Sequence, residues 1–260
     1  MENAMKDNNV ANLHYREPAL YEAGNPHSDF AQAKMVQMAI SRYGPAPCRE
    51  ILDVGCGTGR DLAFLTGLGF QCHGVDIERA MIDYARRTYP GASYRTHDMR
   101  SVRLGRRFDA ILCLGSTLTY ALTNKDLSQL VQTFSVHSRP GTLLILGFRN
   151  AANMLADETT LDPRITEYNL NGFVGRSVAY YRLDHHRQQI IRRRSWFIDG
   201  HNYDDDYCSY RLIFPLEIEY FLANGGFHIV KKTDTLTLDD SDLSGWRMYI
   251  IARFCGTSSE

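Results

Sequence analysis

Ile51-Leu52-Asp53-Val54-Gly55-Cys56-Gly57-Thr58-Gly59 decides the fold. It reads as a short buried strand that runs into a glycine turn, with a helix following over Arg60 to Leu68. Glycine permits positive φ and close backbone approach to a ligand, because no Cβ stands in the way. Glycines at alternate positions directly after a strand make a docking surface for a nucleoside-containing cofactor at the C-terminal edge of a parallel sheet. The phase of the glycines narrows the choice. A dinucleotide fingerprint starting at Gly55 and Gly57 needs its third glycine at position 60, which is Arg60. A phosphate-cradling loop needs a Gly-Lys-Ser/Thr ending, and none follows. An acid, Asp53, stands inside the strand end instead. A second strand, closing on Val75-Asp76, places another acid one helix and one turn later, where a carboxylate accepts from both hydroxyls of a ribose.

Strand and helix alternate outward from this motif: strands over 50–55, 71–76, 93–96, 108–113 and 141–147, helices over 59–68, 78–87 and 125–138. Such alternation implies a parallel sheet covered on both faces. Beyond Phe148 the pattern changes. Residues 174–183, 189–198 and 207–214 read as antiparallel strands, with Asp204-Asp205-Asp206 as a solvated turn before the third. A helix returns over 215–223, and two last strands cover 227–232 and 246–254. Residues 1–14 read as a disordered tail, and residues 15–48 as a helical cap broken by Gly44-Pro45-Ala46-Pro47. The expected fold is α/β: a Rossmann-like doubly wound seven-stranded sheet whose last strand is antiparallel, with the cap and a β lid inserted at 165–214. Residues 15–260 then form a single domain.

Several segments resemble the class I S-adenosylmethionine-dependent methyltransferases. Residues 51–59 are similar to their first cofactor motif, 75–85 to their second, His97-Asp98-Met99 to their adenine-edge segment, 107–113 to their fourth strand and 139–145 to the turn into the fifth. The chain is most similar to the bacterial sugar-amine and natural-product N-methyltransferases, which carry a small β lid in the same place. The resemblance implies S-adenosyl-L-methionine as cofactor, with S-adenosyl-L-homocysteine as product. It places Asp53, Gly55, Cys56 and Gly57 along the methionine part, Asp76 on the ribose, Ile77 on the adenine and Met81 in the following helix. Asp98 would accept from the adenine amine, Met99 contact the ring, Leu114 line the cofactor and Tyr21 close over it. Tyr120 stands where a histidine often stands in that group. A neutral tyrosine orients an acceptor by hydrogen bonding and is a poor base near neutral pH, so Tyr120 is either the catalytic candidate, in a positioning sense, or a structural tyrosine. Ser116 and Thr117 border the acceptor, and the lid offers Tyr180, Arg192 and Trp196, with Tyr181, Arg182, Arg194 and His201 as further candidates. By alternation Arg192, Arg194 and Trp196 share one face; the bland reading of most lid residues is a solvated strand with charged edges.

Composition bounds the partners. The chain has 260 residues, 44% of them hydrophobic, and a formal net charge of −1, which gives no general field toward nucleic acid or anionic lipid. Six cysteines without a C-x-x-C pair read as reduced thiols of a cytoplasmic enzyme, and no metal site is expected. No apolar run approaches spanning length. The expected activity is methyl transfer to a nitrogen or oxygen of a small molecule, by a monomer or homodimer acting without nucleic acid or membrane. Methylation of a peptide or protein terminus, or a non-catalytic cofactor-binding scaffold, are the alternatives.

Overall fold

The computed structural model describes residues 12–25, 29–170, 173–198 and 200–256. Seven strands form the main sheet: β1 (Glu50–Val54), β2 (Gln71–Asp76), β3 (Ser93–Thr96), β4 (Ala110–Cys113), β5 (Leu143–Arg149), β10 (Phe227–Thr233) and β11 (Arg247–Phe254). Their order across the sheet is β10-β11-β5-β4-β1-β2-β3. Neighbours from β3 to β5 pair in parallel, while β11 runs antiparallel to β5 and to β10. The chain therefore reverses strand order beside β1, and the carboxyl ends of β1 and β4 open a crevice there, the usual ligand position in such sheets.

Alternation along β1 explains why Ile51, Leu52 and Val54 are all apolar. Ile51 packs to one side against α3 (Ala31–Tyr43), α4 (Arg60–Gly67) and α5 (Arg79–Thr88), through Met35, Val36, Leu62, Leu65 and Ile82. Leu52 and Val54 pack to the other side with α6 (Asn124–Val136) and α8 (Pro215–Asn224), through Leu127, Leu130, Phe134, Ile218 and Leu222. A strand covered on both faces needs apolar residues at every position. Asp53 breaks that rule, which marks it for function.

The second sheet is antiparallel, in the order β6 (Arg164–Leu170), β7 (Phe173–Asp184), β8 (Gln189–Ile198), β9 (His201–Arg211). Its inner face meets the rest of the molecule in two places. Ile190, Cys208, Tyr210 and Leu212 pack with Ala151 and Met154 of α7 (Ala151–Ala156), and with Tyr120. Tyr168, Trp196 and Ile198 pack on Leu20 of α2 (Pro18–Gly24).

Four expectations are corrected here. Leu13–Arg16 is helical (α1), capped by the buried Asn12, so residues 12–14 do not belong to a loose tail; residues 1–11 lie outside the described residues. The cap is three helices, because Pro18 cannot continue α1 and instead opens α2 at its first position. The third lid strand starts at His201, and the acidic triplet lies within it. Asp206 is buried opposite Arg194 and ion-paired to Arg192 at 3.1 Å, so a charge pair across two strands replaces the solvated turn. A fourth strand, β6, precedes the three expected.

Candidate active site

The glycine turn follows directly from β1, and its three glycines answer different demands. All three have positive φ, +84° at Gly55, +53° at Gly57 and +79° at Gly59. A Cβ on Gly55 would fall 2.3 Å from Thr117 Cγ2, and one on Gly59 would fall 2.7 Å from the Tyr94 hydroxyl. Those two glycines let protein pack on protein. At Gly57 nothing lies within 4 Å of the Cβ position. Gly57 therefore faces open space at the crevice.

Two carboxylates flank that space. Asp76 accepts from the Gly57 N–H at 2.9 Å through Oδ2 and from the Glu78 N–H at 2.9 Å through Oδ1. From sequence this acid lacked an obvious partner; the structure supplies two, and they hold the glycine turn to the end of β2. Each oxygen keeps further acceptor capacity, because an ionised carboxylate has about four lone-pair positions. Burial pushes the Asp76 pKa up, and backbone donors of Glu78, Gly57 and Ile77 pull it down. Asp53 is more extreme. It is 4% exposed, its Oδ1 is sealed from solvent without a hydrogen-bond partner, and burial, then the charges of Asp61 and Asp76, push its pKa well up. A buried acceptor left unpaired costs about 1–3 kcal/mol, more when charged. Both acids suit a ligand that brings hydroxyl donors to Asp76 and a cationic group to Asp53.

The N-terminal cap closes one side. Thr58 Oγ1 donates to Glu22 Oε1, while Arg60 Nη1 donates to Glu22 Oε2 at 3.0 Å and to the Asn25 carbonyl at 2.9 Å. Glu22 thus fastens α2 onto the glycine turn. Sequence reading passed over it, although it follows Tyr21 directly. Tyr21 sits among Tyr15 and His14, at ring distances of 6.1 Å and 6.2 Å, and burial raises its hydroxyl pKa.

The remaining expected residues fall in three groups. Around the crevice, Cys56 packs beside Gly74, Met81 and Leu114 are buried, and Met99 is partly buried against the core. Ile77 is 61% exposed. Asp98 is gripped by Arg100, whose Nη2 lies 2.6 Å from Oδ2, and this pairing lowers the Asp98 pKa; Arg100 also bridges to Asp126 at 2.9 Å. After β4, Ser116 takes a left-handed φ of 72° and its N–H donates to the Gly147 carbonyl at 3.0 Å. That turn aims Thr117 at Gly55 and carries Tyr120, whose hydroxyl meets that of Tyr15 at 2.7 Å. Burial first, then Tyr15, keeps the Tyr120 hydroxyl pKa well above its ordinary value.

The lid divides by face. Tyr180 is 52% exposed and points outward, so the expected acceptor contact there is corrected: its neighbour Tyr181 turns inward, under the guanidinium of Arg164 at 5.7 Å. Arg192 and Trp196 are buried, as their shared face predicts, and the bland solvated reading fails for them. Asp206 binds both, accepting from the Trp196 indole N–H and from Arg192. Trp196 packs on His14 at a ring distance of 4.9 Å, and burial, then Arg194 and Arg192, lower the His14 pKa to about 3. Tyr15 and Arg149 also reach this inner face and were not singled out from sequence, and Asp206 was read only as part of a solvated turn. Only the pairing of distant strands brings them together.

Residues 51–141 match a family model described as a methyltransferase domain. This segment is similar to methyltransferase domains. It contains the glycine turn, both strand-end acids and the loop of Tyr120. Over 97 residues the chain is 34% identical to the dTDP-3-amino-3,4,6-trideoxy-alpha-D-glucopyranose N,N-dimethyltransferase of Streptomyces venezuelae, covering 37% of this chain and 41% of that one. The chain spans 41% to 57% of the length of the curated relatives it matches first. Among solved structures, a S-adenosylmethionine-dependent methyltransferase from Clostridium acetobutylicum superposes with a TM-score of 0.77 at 17% identity, covering 93% of this chain and 99% of that one. A sugar N-methyltransferase from Streptoalloteichus superposes with a TM-score of 0.76 at 21% identity, covering 92% of each. At these identities the superpositions establish the Rossmann-like methyltransferase fold, with its one antiparallel edge and separate lid sheet.

Proposed function

We propose that the chain is an S-adenosylmethionine-dependent methyltransferase acting on a nitrogen or oxygen of a small molecule. One observation carries the reading: the open position at Gly57 lies between a buried unpaired carboxylate, Asp53, and a strand-end carboxylate with free acceptor capacity, Asp76. The donor chemistry matches a cofactor that has a ribose at one end and a cationic amino acid at the other. When bound, S-adenosylmethionine supplies a methyl group on a positively charged sulfur, already activated toward an acceptor lone pair.

The chain's own residues then have positioning work. Asp76 would hold the ribose hydroxyls, Asp53 the methionyl amino group, Ile77 and Met99 the adenine faces, and Asp98 the adenine edge. Leu114 and the buried Met81 support the crevice, and Tyr21 closes it under the Glu22 clasp. Tyr120 keeps its proton because its hydroxyl is buried beside Tyr15, so it orients the acceptor by hydrogen bonding rather than by taking a proton. Ser116 and Thr117 shape the floor. The lid, docked through Trp196 and Arg192, excludes water. Alignment and desolvation of this kind can supply most of the barrier reduction for an activated electrophile.

The acceptor class is supported by relatives named for amino sugars. We place the enzyme in the cytoplasm, as a monomer or homodimer acting without nucleic acid; a net charge of −1 and six free cysteines support this. Among the described residues, no helix is long and apolar enough to cross a membrane. Incubating the protein with methyl-labelled S-adenosylmethionine and a panel of small amines, amino sugars and hydroxylated compounds tests the proposal. Label in at least one acceptor is expected. A folded protein that binds no cofactor and labels nothing would refute it.

A further inference from the structure

Arg100 lies between the segment that ends β3 and the loop that carries Tyr120. The turn after β3 is fixed by its backbone. The His97 N–H donates to the Asp76 carbonyl at 2.9 Å, and the Asp98 carbonyl accepts from the Ser101 and Val102 N–H groups at 3.1 Å and 3.0 Å. Asp98 thus follows directly on the contact between β3 and the Asp76 backbone. Its Oδ1 accepts from the Arg100 N–H at 2.8 Å and from Nε at 3.0 Å, while Oδ2 accepts from Nη2 at 2.6 Å. The third arm of the same guanidinium, Nη1, donates to Asp126 Oδ1 at 2.9 Å.

Asp126 closes the capping box of α6. Its Oδ2 accepts from the Thr123 N–H at 3.0 Å and from Thr123 Oγ1 at 2.7 Å, and Thr123 Oγ1 accepts in turn from the Asp126 N–H at 3.1 Å. Thr123 ends the loop that runs from Ser116 through the turn of Thr117–Tyr120. The lid touches this loop too, since Gln189 Nε2 donates to the Leu122 carbonyl at 3.1 Å. Direct hydrogen bonds therefore link Asp98, Arg100, Asp126 and Thr123 without a gap.

Stability alone is a poor account of this arrangement. The Arg100 and Asp98 side chains each keep 27% of their surface exposed, and ion pairs this open contribute little. Asp126 needs no cation to cap α6, because Thr123 already occupies Oδ2. One guanidinium nevertheless holds two carboxylates at once, a task that suits the planar fork of arginine and not a point-like ammonium. The three groups together keep one negative charge in excess. That excess favours a base edge that offers an amine over one that offers a carbonyl.

We propose that Arg100 is a positioning residue with two ends: it sets the Asp98 carboxylate toward the amine of a bound purine, and through Asp126 it ties that edge to the loop of Tyr120. What occupies the crevice follows from the methyltransferase reading, on which this assignment rests. The consequence is reciprocal. A cofactor seated on Asp98 steadies the acceptor loop, and a steadier loop raises cofactor affinity by the same factor.

Two measurements on the full chain test this, in wild type, Arg100→Met, Arg100→Lys and Arg103→Met. Calorimetry compares S-adenosylhomocysteine with S-inosylhomocysteine, in which a carbonyl replaces the exocyclic amine. Hydrogen exchange follows the amides of residues 117–127 with and without S-adenosylhomocysteine. Wild type should prefer the amine by about tenfold to a hundredfold, the weight of one hydrogen bond to a charged group. S-adenosylhomocysteine should slow wild-type exchange over 117–127 at least about fivefold. Both effects should collapse in Arg100→Met. Arg100→Lys keeps the charge, and with it the fold, but lacks the fork, so it should show both losses. Arg103 straps the same segment to α6 through Thr133 at 2.8 Å and Gln132 at 3.3 Å; Arg103→Met should keep both effects. The proposal is overturned if wild type does not discriminate between the bases, if either Arg100 variant keeps either effect, or if Arg103→Met loses them equally. Wild type that binds neither nucleoside would sink the methyltransferase reading itself, whereas S-adenosylhomocysteine binding that ignores Arg100 would sink this proposal alone.

Discussion

Alanine at Gly55 and at Gly57 separates a glycine that serves the fold from one that serves the ligand. Both positions have positive φ, where a side chain costs about 1–2 kcal/mol. At Gly57 that is the whole structural cost, because the Cβ position is open to 4 Å. At Gly55 the new methyl lands 2.3 Å from Thr117 Cγ2, and moving a packed side chain adds about 1–3 kcal/mol. At about 2–4 °C per kcal/mol for a chain of this size, Gly57→Ala should melt a few degrees below wild type and Gly55→Ala roughly ten degrees below. Ligand binding should rank the other way relative to the stability lost. In Gly57→Ala the methyl group occupies the space a cofactor backbone would approach, so S-adenosylhomocysteine should bind at least about tenfold more weakly in a protein that is almost fully stable. Thermal unfolding and calorimetry on the same preparations give both numbers. Equal destabilisation by the two substitutions, or wild-type affinity in Gly57→Ala, would refute the assignment of the open space to the ligand.

Other substitutions probe the lid and the chemistry. Asp206→Ala leaves the buried Arg192 without its carboxylate and Trp196 without its acceptor; loss of one partner of a buried ion pair costs about 3–5 kcal/mol, so hydrogen exchange over β8 and β9 should accelerate. His14 has a folded pKa of about 3, below its ordinary 6.5. The unfolded or undocked state therefore binds the proton first, and docking of the cap on the lid weakens as pH falls from 6.5 toward 3, by up to ~1.4 kcal/mol per unit. Fluorescence of the adjacent Trp196 should follow this transition, and His14→Phe should flatten it. Tyr120→Phe should lower kcat about tenfold, the weight of one neutral hydrogen bond, with no change in the pH profile near neutrality. A thousandfold loss with a lost basic limb would instead make Tyr120 a base.

The sheet was largely legible in the sequence, because β1, β4 and β5 are buried on both faces and so are mostly apolar. β2 and β3 fall at the expected residues, and Asp53 and Asp76 stand out as the acids that interrupt this pattern. The lid was harder. Alternation correctly placed Arg192, Arg194 and Trp196 on one face, but nothing local says which of Tyr180 and Tyr181 turns inward, since that depends on which face of the sheet meets the core. The triplet at 204–206 has the composition of a turn. Only Arg192, on the neighbouring strand, makes a buried strand position tolerable for Asp206. Glu22 acts through Thr58 and Arg60 on another element. Side chains whose role depends on a distant partner carry no periodic signal.

Calorimetric titration of S-adenosylhomocysteine into wild type and Asp76→Ala tests the central claim most directly. Micromolar binding to wild type is expected, weakened at least about tenfold in the variant, which should still unfold cooperatively. Folded wild-type protein that takes up no S-adenosylhomocysteine, or a variant that binds as tightly as wild type, would contradict a cofactor site built on the glycine turn and its strand-end acids.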